Sequence, residues 1–241
     1  MATIIIPARM GSVRLPGKPT KSINGIPLID RVYEQCTKAG TGKVYVASDS
    51  EEILLRVPQE SRLLVTTKCK CGTDRVAMAA MMLGLPDDEI VLNVQGDMPY
   101  IPHQLIREFV GFMHFNDHAM GTVAIKCTGG VPPGFVSVVL DKDGNAIYFS
   151  RSKIPALEAA SYYQHVGMYG FKTEVLKKFI NSKESMLEQA EGLEQLRVIE
   201  NRLCNIGVMM TKTDPGPEIN VPEDLETVKK YAGPGEYACG M

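Results

Sequence analysis

Four short β-branched runs, separated from one another by breaks and helical patterns, constrain the fold more than any other feature of this chain. Thr3-Ile4-Ile5-Ile6 is apolar at every position rather than at alternate ones, which predicts a strand buried on both faces. A helix follows from near Pro27, with Leu28, Ile29, Val32, Tyr33 and Cys36 at helical spacing and Gly40 as its stop. Further strands are predicted over 43–48, 63–67 and 90–94, with helices over 51–56 and 75–83 between them. Alternation of this kind specifies an α/β fold with a mainly parallel sheet. Loops at the carboxyl ends of such strands share one rim, so Arg9, Asp49 and Asp97 should converge there.

The later half is less regular. Strands are predicted over 121–125, 136–140, 167–171 and 205–210, and the turn 141–145 leads into 146–149 as a hairpin. Helices are predicted over 187–201 and 222–231, with a frayed tail over 233–241. At 241 residues the chain is long enough for one large domain with a subdomain and a core that needs no covalent staples.

The 26 Lys and Arg against 28 Asp and Glu give a formal charge of -2, which argues against a polymeric nucleic-acid coat or a polybasic membrane anchor. No apolar run approaches the roughly 20 residues that span a bilayer, and no cationic leader precedes an apolar stretch, so the expectation is a cytoplasmic chain with no stable membrane insertion. Cys36, Cys69, Cys71, Cys127, Cys204 and Cys239 show no disulfide framework or zinc spacing, and reduced thiols are expected.

The near-zero sum hides a local imbalance: before Asp30 there is no acidic residue, yet there are Arg9, Arg14, Lys18 and Lys21. The loop after the first strand carries Gly11 and Gly17 beside these cations. It is not a P-loop, because five residues separate the glycines and Pro19 follows Lys18, and it lacks the Gly-x-Gly of a dinucleotide fingerprint. Two readings stand at this point: a solvated basic turn, or a polyphosphate cradle of charge-assisted donors. Asp97 after the fourth strand offers an oxygen to a hard cation such as Mg²⁺, or caps a turn.

An ordered set of motifs runs from about Thr3 to Lys230. It comprises Ile6-Pro7-Ala8-Arg9, Ser12-Val13-Arg14-Leu15-Pro16-Gly17-Lys18-Pro19, Asn24-Gly25-Ile26-Pro27-Leu28-Ile29, Val46-Ala47-Ser48-Asp49, Gly72-Thr73-Asp74-Arg75, Asn93-Val94-Gln95-Gly96-Asp97, Tyr148-Phe149-Ser150-Arg151, His165-Val166-Gly167-Met168-Tyr169, Leu193-Glu194-Gln195-Leu196-Arg197 and Pro222-Glu223-Asp224-Leu225. Together these resemble the 3-deoxy-manno-octulosonate (Kdo) cytidylyltransferase family, the CMP-Kdo synthetases. The resemblance implies a three-layer α/β/α, Rossmann-like nucleotide-diphospho-sugar transferase fold, a mainly parallel mixed sheet, and a dimerisation and sugar-binding subdomain over about 99–186. It implies that CTP and Kdo, or a close acidic sugar, give CMP-Kdo and pyrophosphate with Mg²⁺ for lipopolysaccharide or a related polysaccharide, in a homodimer.

By the same resemblance Pro7, Ala8, Arg9, Arg14, Lys18, Lys70, Gly72, Arg75, Gln95 and Asp97 serve the nucleotide, with Arg9, Lys18 and Asp97 catalytic. Gln95, Arg151, His165, Tyr169, Glu194 and Gln195 serve the sugar, and Asp97 and Asn220 the metal. The family pattern is broken at three places. Met98 follows Asp97 where Glu is usual, Cys69-Lys70-Cys71 replaces His-Gln-Ser, and Asn220 stands where a second metal-binding Asp is usual. An amide carbonyl brings no negative charge, so weaker metal binding is expected there, with Lys70 as a compensating cation. A nucleotidyltransferase for another sugar acid, or a non-catalytic homologue of the same fold, is the alternative.

Overall fold

The computed structural model describes residues 1–12, 14–128, 134–156 and 161–231. In chain order its elements are β1 (Thr3–Ala8), β2 (Ser22–Ile23), β3 (Ile26–Pro27), α1 (Leu28–Ala39), β4 (Val44–Ser48), α2 (Glu51–Leu54), β5 (Arg62–Leu64), α3 (Gly72–Met82) and β6 (Ile90–Val94). There follow α4 (His103–Phe115), β7 (Met120–Cys127), β8 (Ser137–Leu140), β9 (Ala146–Ser150), β10 (Tyr162–Lys172), α5 (Thr173–Asn181), α6 (Met186–Glu191), α7 (Leu196–Glu200), β11 (Ile206–Thr211) and α8 (Asp224–Lys230).

The main sheet runs β11-β7-β10-β6-β1-β4-β5. β1 lies parallel to β4 and β6, β4 to β5, and β11 to β7, while β10 runs antiparallel to both β6 and β7. Reversal of one strand leaves the other six in one direction, the mainly parallel mixed sheet expected. The β8-β9 hairpin hangs off this path and bridges to β10 at Ser137 and Gln164.

Period-two geometry sends Ile4 and Ile6 to one face of β1 and Ile5 to the other, and all three are fully buried. Leu28, Ile29 and Val32 of α1 and Leu105, Phe109 and Met113 of α4 cover the first face. Val76 and Ala80 of α3 with Val175, Leu176 and Phe179 of α5 cover the second. Each such buried side chain contributes about 1.5–3 kcal/mol, so two helix layers sandwich the sheet without any staple.

Several boundaries differ from the sequence reading for identifiable reasons. The single helix expected over 187–201 is two, α6 and α7, because Gly192 caps α6 in the left-handed conformation (φ 63°) and the chain turns before restarting. That turn carries Glu194 and Gln195. Strand β5 ends at Leu64, although Val65 still donates to the Ser48 carbonyl. The long α4 and α5 stand where no helix is expected from sequence, and the tail expected to fray lies outside the described residues. Cys36, Cys69, Cys71 and Cys204 are free thiols, as expected, and Cys239 lies outside the described residues. Among the described residues no helix is long and apolar enough to cross a membrane.

Candidate active site

Two recesses open at the carboxyl edge of β1, β4 and β6, and both are walled by Gly72, Gln95 and Asp97. The first is lined by Pro7 and Ala8 at the end of β1, by Arg9, Arg14 and Lys18 of the following loop, and by Arg75, Cys69, Cys71 and Asn220. The second is lined by Gly167, Tyr169, Glu194, Gln195 and Glu218. Crossover topology therefore gathers one strongly cationic recess and one polar, acid-rich recess at a shared wall.

Lys18 joins three distant segments. Its Nζ donates to Asp97 Oδ2 and to the carbonyl of Ile219, both at 2.8 Å, while Ile219 N donates to the Asp97 carbonyl at 3.0 Å. Arg14 Nη2 donates to Asn220 Oδ1 at 3.2 Å, so two loop cations are drawn to the 218–220 turn. Asp224 Oδ2 fixes that turn by accepting from the backbone N–H groups of Asn220 and Val221, which gives the Pro-Glu-Asp-Leu motif its local purpose. Arg75 is buried and fastened by Nη2 to Asp49 Oδ2 at 2.8 Å and by Nη1 to the Val65 carbonyl. The expected rim of Arg9, Asp49 and Asp97 is present in that form.

A hydrogen-bonded chain crosses the shared wall. Gln95 Nε2 donates to Asn93 Oδ1, Asn93 Nδ2 to Thr73 Oγ1, and Thr73 Oγ1 to Glu194 Oε1 at 2.9 Å, with Thr73 N donating to Glu194 Oε2. Burial raises the pKa of Glu194. Gln195 is 2% exposed and its Nε2 has no partner among the described residues. An orphaned buried donor costs about 1–3 kcal/mol, and the residue that carries it is one of those lining the second recess.

His165, Arg151 and Lys70 stand outside both linings. Lys70 points to Glu184 at 3.1 Å, and Arg151 donates to the carbonyls of Glu191 and Gly192. His165 is a buried strut: Thr122 Oγ1 gives its proton to the Met168 carbonyl at 2.8 Å, so His165 Nε2 donates to Thr122 at 2.9 Å. This pins the bulge between Val166 and Tyr169, which turns Tyr169 to the second recess.

Burial alone lowers the His165 pKa from 6.5 to about 3. Between those values the unfolded chain binds a proton that the folded chain does not, so stability falls as pH falls, by up to roughly tenfold in the folding equilibrium per pH unit. His165→Gln, which does not titrate, is expected to be less stable than the parent at pH 7 but to lose less on going to pH 5. Urea unfolding of both proteins at the two pH values checks this; parallel losses would contradict it.

Glu218 was missed by sequence reasoning, because it falls outside every quoted motif. It is exposed, yet partial desolvation by the surrounding protein, and secondarily the charge of Asp97, raise its pKa to about 7. Of the departures from the family pattern, Met98 is buried in the core beneath the site and Cys71 Sγ caps α3 by accepting from Asp74 N. Burial raises both Cys69 and Cys71, which keeps them protonated.

The donor set fits a hard divalent cation. Asp97 Oδ1 makes no hydrogen bond among the described residues, and Glu218 adds a second carboxylate. No group of three or more His, Cys, Asp or Glu gathers among the described residues. Such a site matches Mg²⁺, which takes one or two carboxylates and completes its shell with water and substrate phosphates.

This sheet, with a cationic loop after its first strand and a carboxylate after β6, defines a nucleotidyltransferase. A family model described as cytidylyltransferase matches residues 3–208. The 3-deoxy-manno-octulosonate cytidylyltransferases of Vibrio vulnificus and Photobacterium profundum are 36% and 38% identical, over 95% and 96% of this chain and 96% and 99% of theirs. The chain belongs to the cytidylyltransferase family, in its 3-deoxy-manno-octulosonate branch. The structure of CMP:2-keto-3-deoxy-manno-octonic acid synthetase complexed with CTP matches with a TM-score of 0.85 and 35% identity, over 95% of this chain and 96% of that one. HddC from Yersinia pseudotuberculosis complexed with GMP-PN, at 15% identity and a TM-score of 0.68, shares the fold.

Proposed function

We propose that the chain transfers CMP from CTP to the anomeric hydroxyl of Kdo or a close analogue, in the cytoplasm, as a step toward lipopolysaccharide or a related polysaccharide. The observation that carries this reading is the pair of recesses meeting at Gln95, Gly72 and Asp97, one cationic enough for a triphosphate and the other polar enough for a sugar. The anomeric oxygen attacks the α-phosphorus, the bond from that phosphorus to the bridging oxygen of the β-phosphate breaks, and pyrophosphate leaves with the electron pair. The hydroxyl proton passes to solvent. No covalent bond to the protein is needed, so the residues act by positioning and by neutralising charge.

In this reading the backbone of Pro7 and Ala8 meets the cytosine, and Arg9, Arg14 and Lys18 hold the triphosphate. Gly72 and the Asp49-held Arg75 shape the pocket. Gln95, Tyr169, Glu194 and Gln195 take the sugar hydroxyls, His165 positions Tyr169, and Arg151 at the rim meets the sugar carboxylate. Lys70, turned to Glu184, is left on the approach to the nucleotide side rather than in its wall. Asp97 would hold Mg²⁺, which would supply neutralisation of the phosphate charge when bound. A homodimer built through about 99–186 is part of the same reading, supported by Ile147 of the β8-β9 hairpin, a large apolar side chain left exposed.

Titration calorimetry with CTP tests the nucleotide half. A Cβ at Gly72 would sit 3.1 Å from Gln95 Oε1 and 3.5 Å from Pro7 Cγ, narrowing the wall common to both recesses. Narrowing of that wall predicts that Gly72→Ala binds CTP about tenfold more weakly, a loss of about 1.4 kcal/mol. Unchanged CTP affinity would count against the pocket assignment.

A further inference from the structure

The family resemblance puts a metal-binding carboxylate at position 220, and this chain has an amide there. The amide is already committed on both ends. Its Oδ1, the atom able to ligate a cation, accepts from Arg14 Nη2 at 3.2 Å, and its Nδ2 donates to Glu218 Oε2 at 3.4 Å. An aspartate at 220 could not make the second bond and would face Glu218 charge to charge. Asn220 and Glu218 therefore read as a matched pair.

Glu218 is placed to use that support. It shares the wall of the second recess with Asp97, and a Cβ on Gly167 would lie 3.5 Å from its Oε1, so the carboxylate reaches across toward β10 beside Gln95. The turn that carries it cannot drift far from Asp97. Ile219 N donates to the Asp97 carbonyl, Lys18 Nζ bridges the Asp97 carboxylate and the Ile219 carbonyl, and Asp224 holds the next two amides. The orphaned Nε2 of Gln195, 2% exposed in the same wall, is an independent sign that this recess is built around a ligand.

We infer that Glu218 and Asp97 together form the divalent-cation site of this chain, and that Asn220 holds Glu218 in place instead of ligating the ion. The inference rests on the cytidylyl-transfer reading for its metal, and goes beyond it in moving the second ligand two residues along the chain. The charge expected at 220 is supplied from 218, so the chain has kept a two-carboxylate site by a different route.

The test is Mn²⁺ binding to the full chain in the presence of CTP and absence of sugar, followed by the electron paramagnetic resonance signal of free Mn²⁺. Glu218→Gln is expected to weaken Mn²⁺ binding by about 10–100-fold, while metal-free CTP binding stays at the parent's value and reports a folded nucleotide pocket. The double variant E218Q/N220D, which returns a carboxylate to 220, is expected to recover most of that loss. A Glu218→Gln titration that overlays the parent's would overturn the inference, as would failure of the double variant to recover any affinity. Pyrophosphate release from CTP and Kdo, measured in parallel, separates the two claims. A parent that releases none but whose Mn²⁺ affinity still falls on Glu218→Gln would refute the function and support the site.

Discussion

Asp97→Asn is expected to lower pyrophosphate release from CTP and Kdo by at least about 10²–10³-fold, the cost of removing one preorganised group that stabilises developing charge. Asp97 is the only carboxylate in the walls of both recesses among the described residues, and its Oδ2 holds Lys18 at 2.8 Å. Neutralising it both removes a cation ligand and frees the Lys18 ammonium from its partner. The loss should fall mainly on kcat, because the Asn side chain keeps the shape of the wall and the Asp97 carbonyl still receives Ile219 N. Melting temperature should change little. A kcat within tenfold of the parent's would contradict the central place given to this residue.

Arg197→Met is expected to produce the largest loss of stability. Its guanidinium is 4% exposed and donates to both oxygens of Glu188, at 2.7 Å and 2.6 Å, and to Asp74 Oδ1 at 3.2 Å, with its carbon 4.1 Å above the Phe179 ring centroid. Removing the cation leaves Glu188 charged and buried, which costs about 3–5 kcal/mol. For a chain of this size that corresponds to a fall of roughly 6–20 °C in melting temperature. Activity should fall too, because this cluster ties α6, α7 and the start of α3 together, and α3 carries Thr73 while the turn between α6 and α7 carries Glu194 and Gln195. Arg197→Lys keeps the charge but not the fork, so an intermediate loss is expected. A thermal scan checks all three proteins, and an unshifted Arg197→Met would show that the cluster is not a fastening.

The sheet was legible because its strands are unbroken β-branched runs, and burial on both faces leaves such runs few other uses. The rim followed from topology alone: Arg9 and Asp97 line one recess and Asp49 grips a third wall residue. What could not be read was direction. His165 and Arg151 belong to motifs, yet one is a strut behind Tyr169 and the other is turned to backbone carbonyls, and only the bulge in β10 and the turn after α6 decide that. The helix expected over 187–201 divides because its apolar spacing continues across Gly192, whose left-handed conformation breaks it. Glu218 was invisible for a different reason: it carries its role by proximity to Asp97, a residue far away in sequence, and no local pattern encodes that.

The most direct test of the account is the reaction itself. With CTP, Kdo and Mg²⁺, phosphorus NMR should show the α-phosphorus of CTP converted to a phosphodiester resonance, with one pyrophosphate released per sugar consumed. Release should stop when either sugar or Mg²⁺ is omitted. CTP left intact in the complete mixture, with the nucleotide bound and the protein folded, would contradict it.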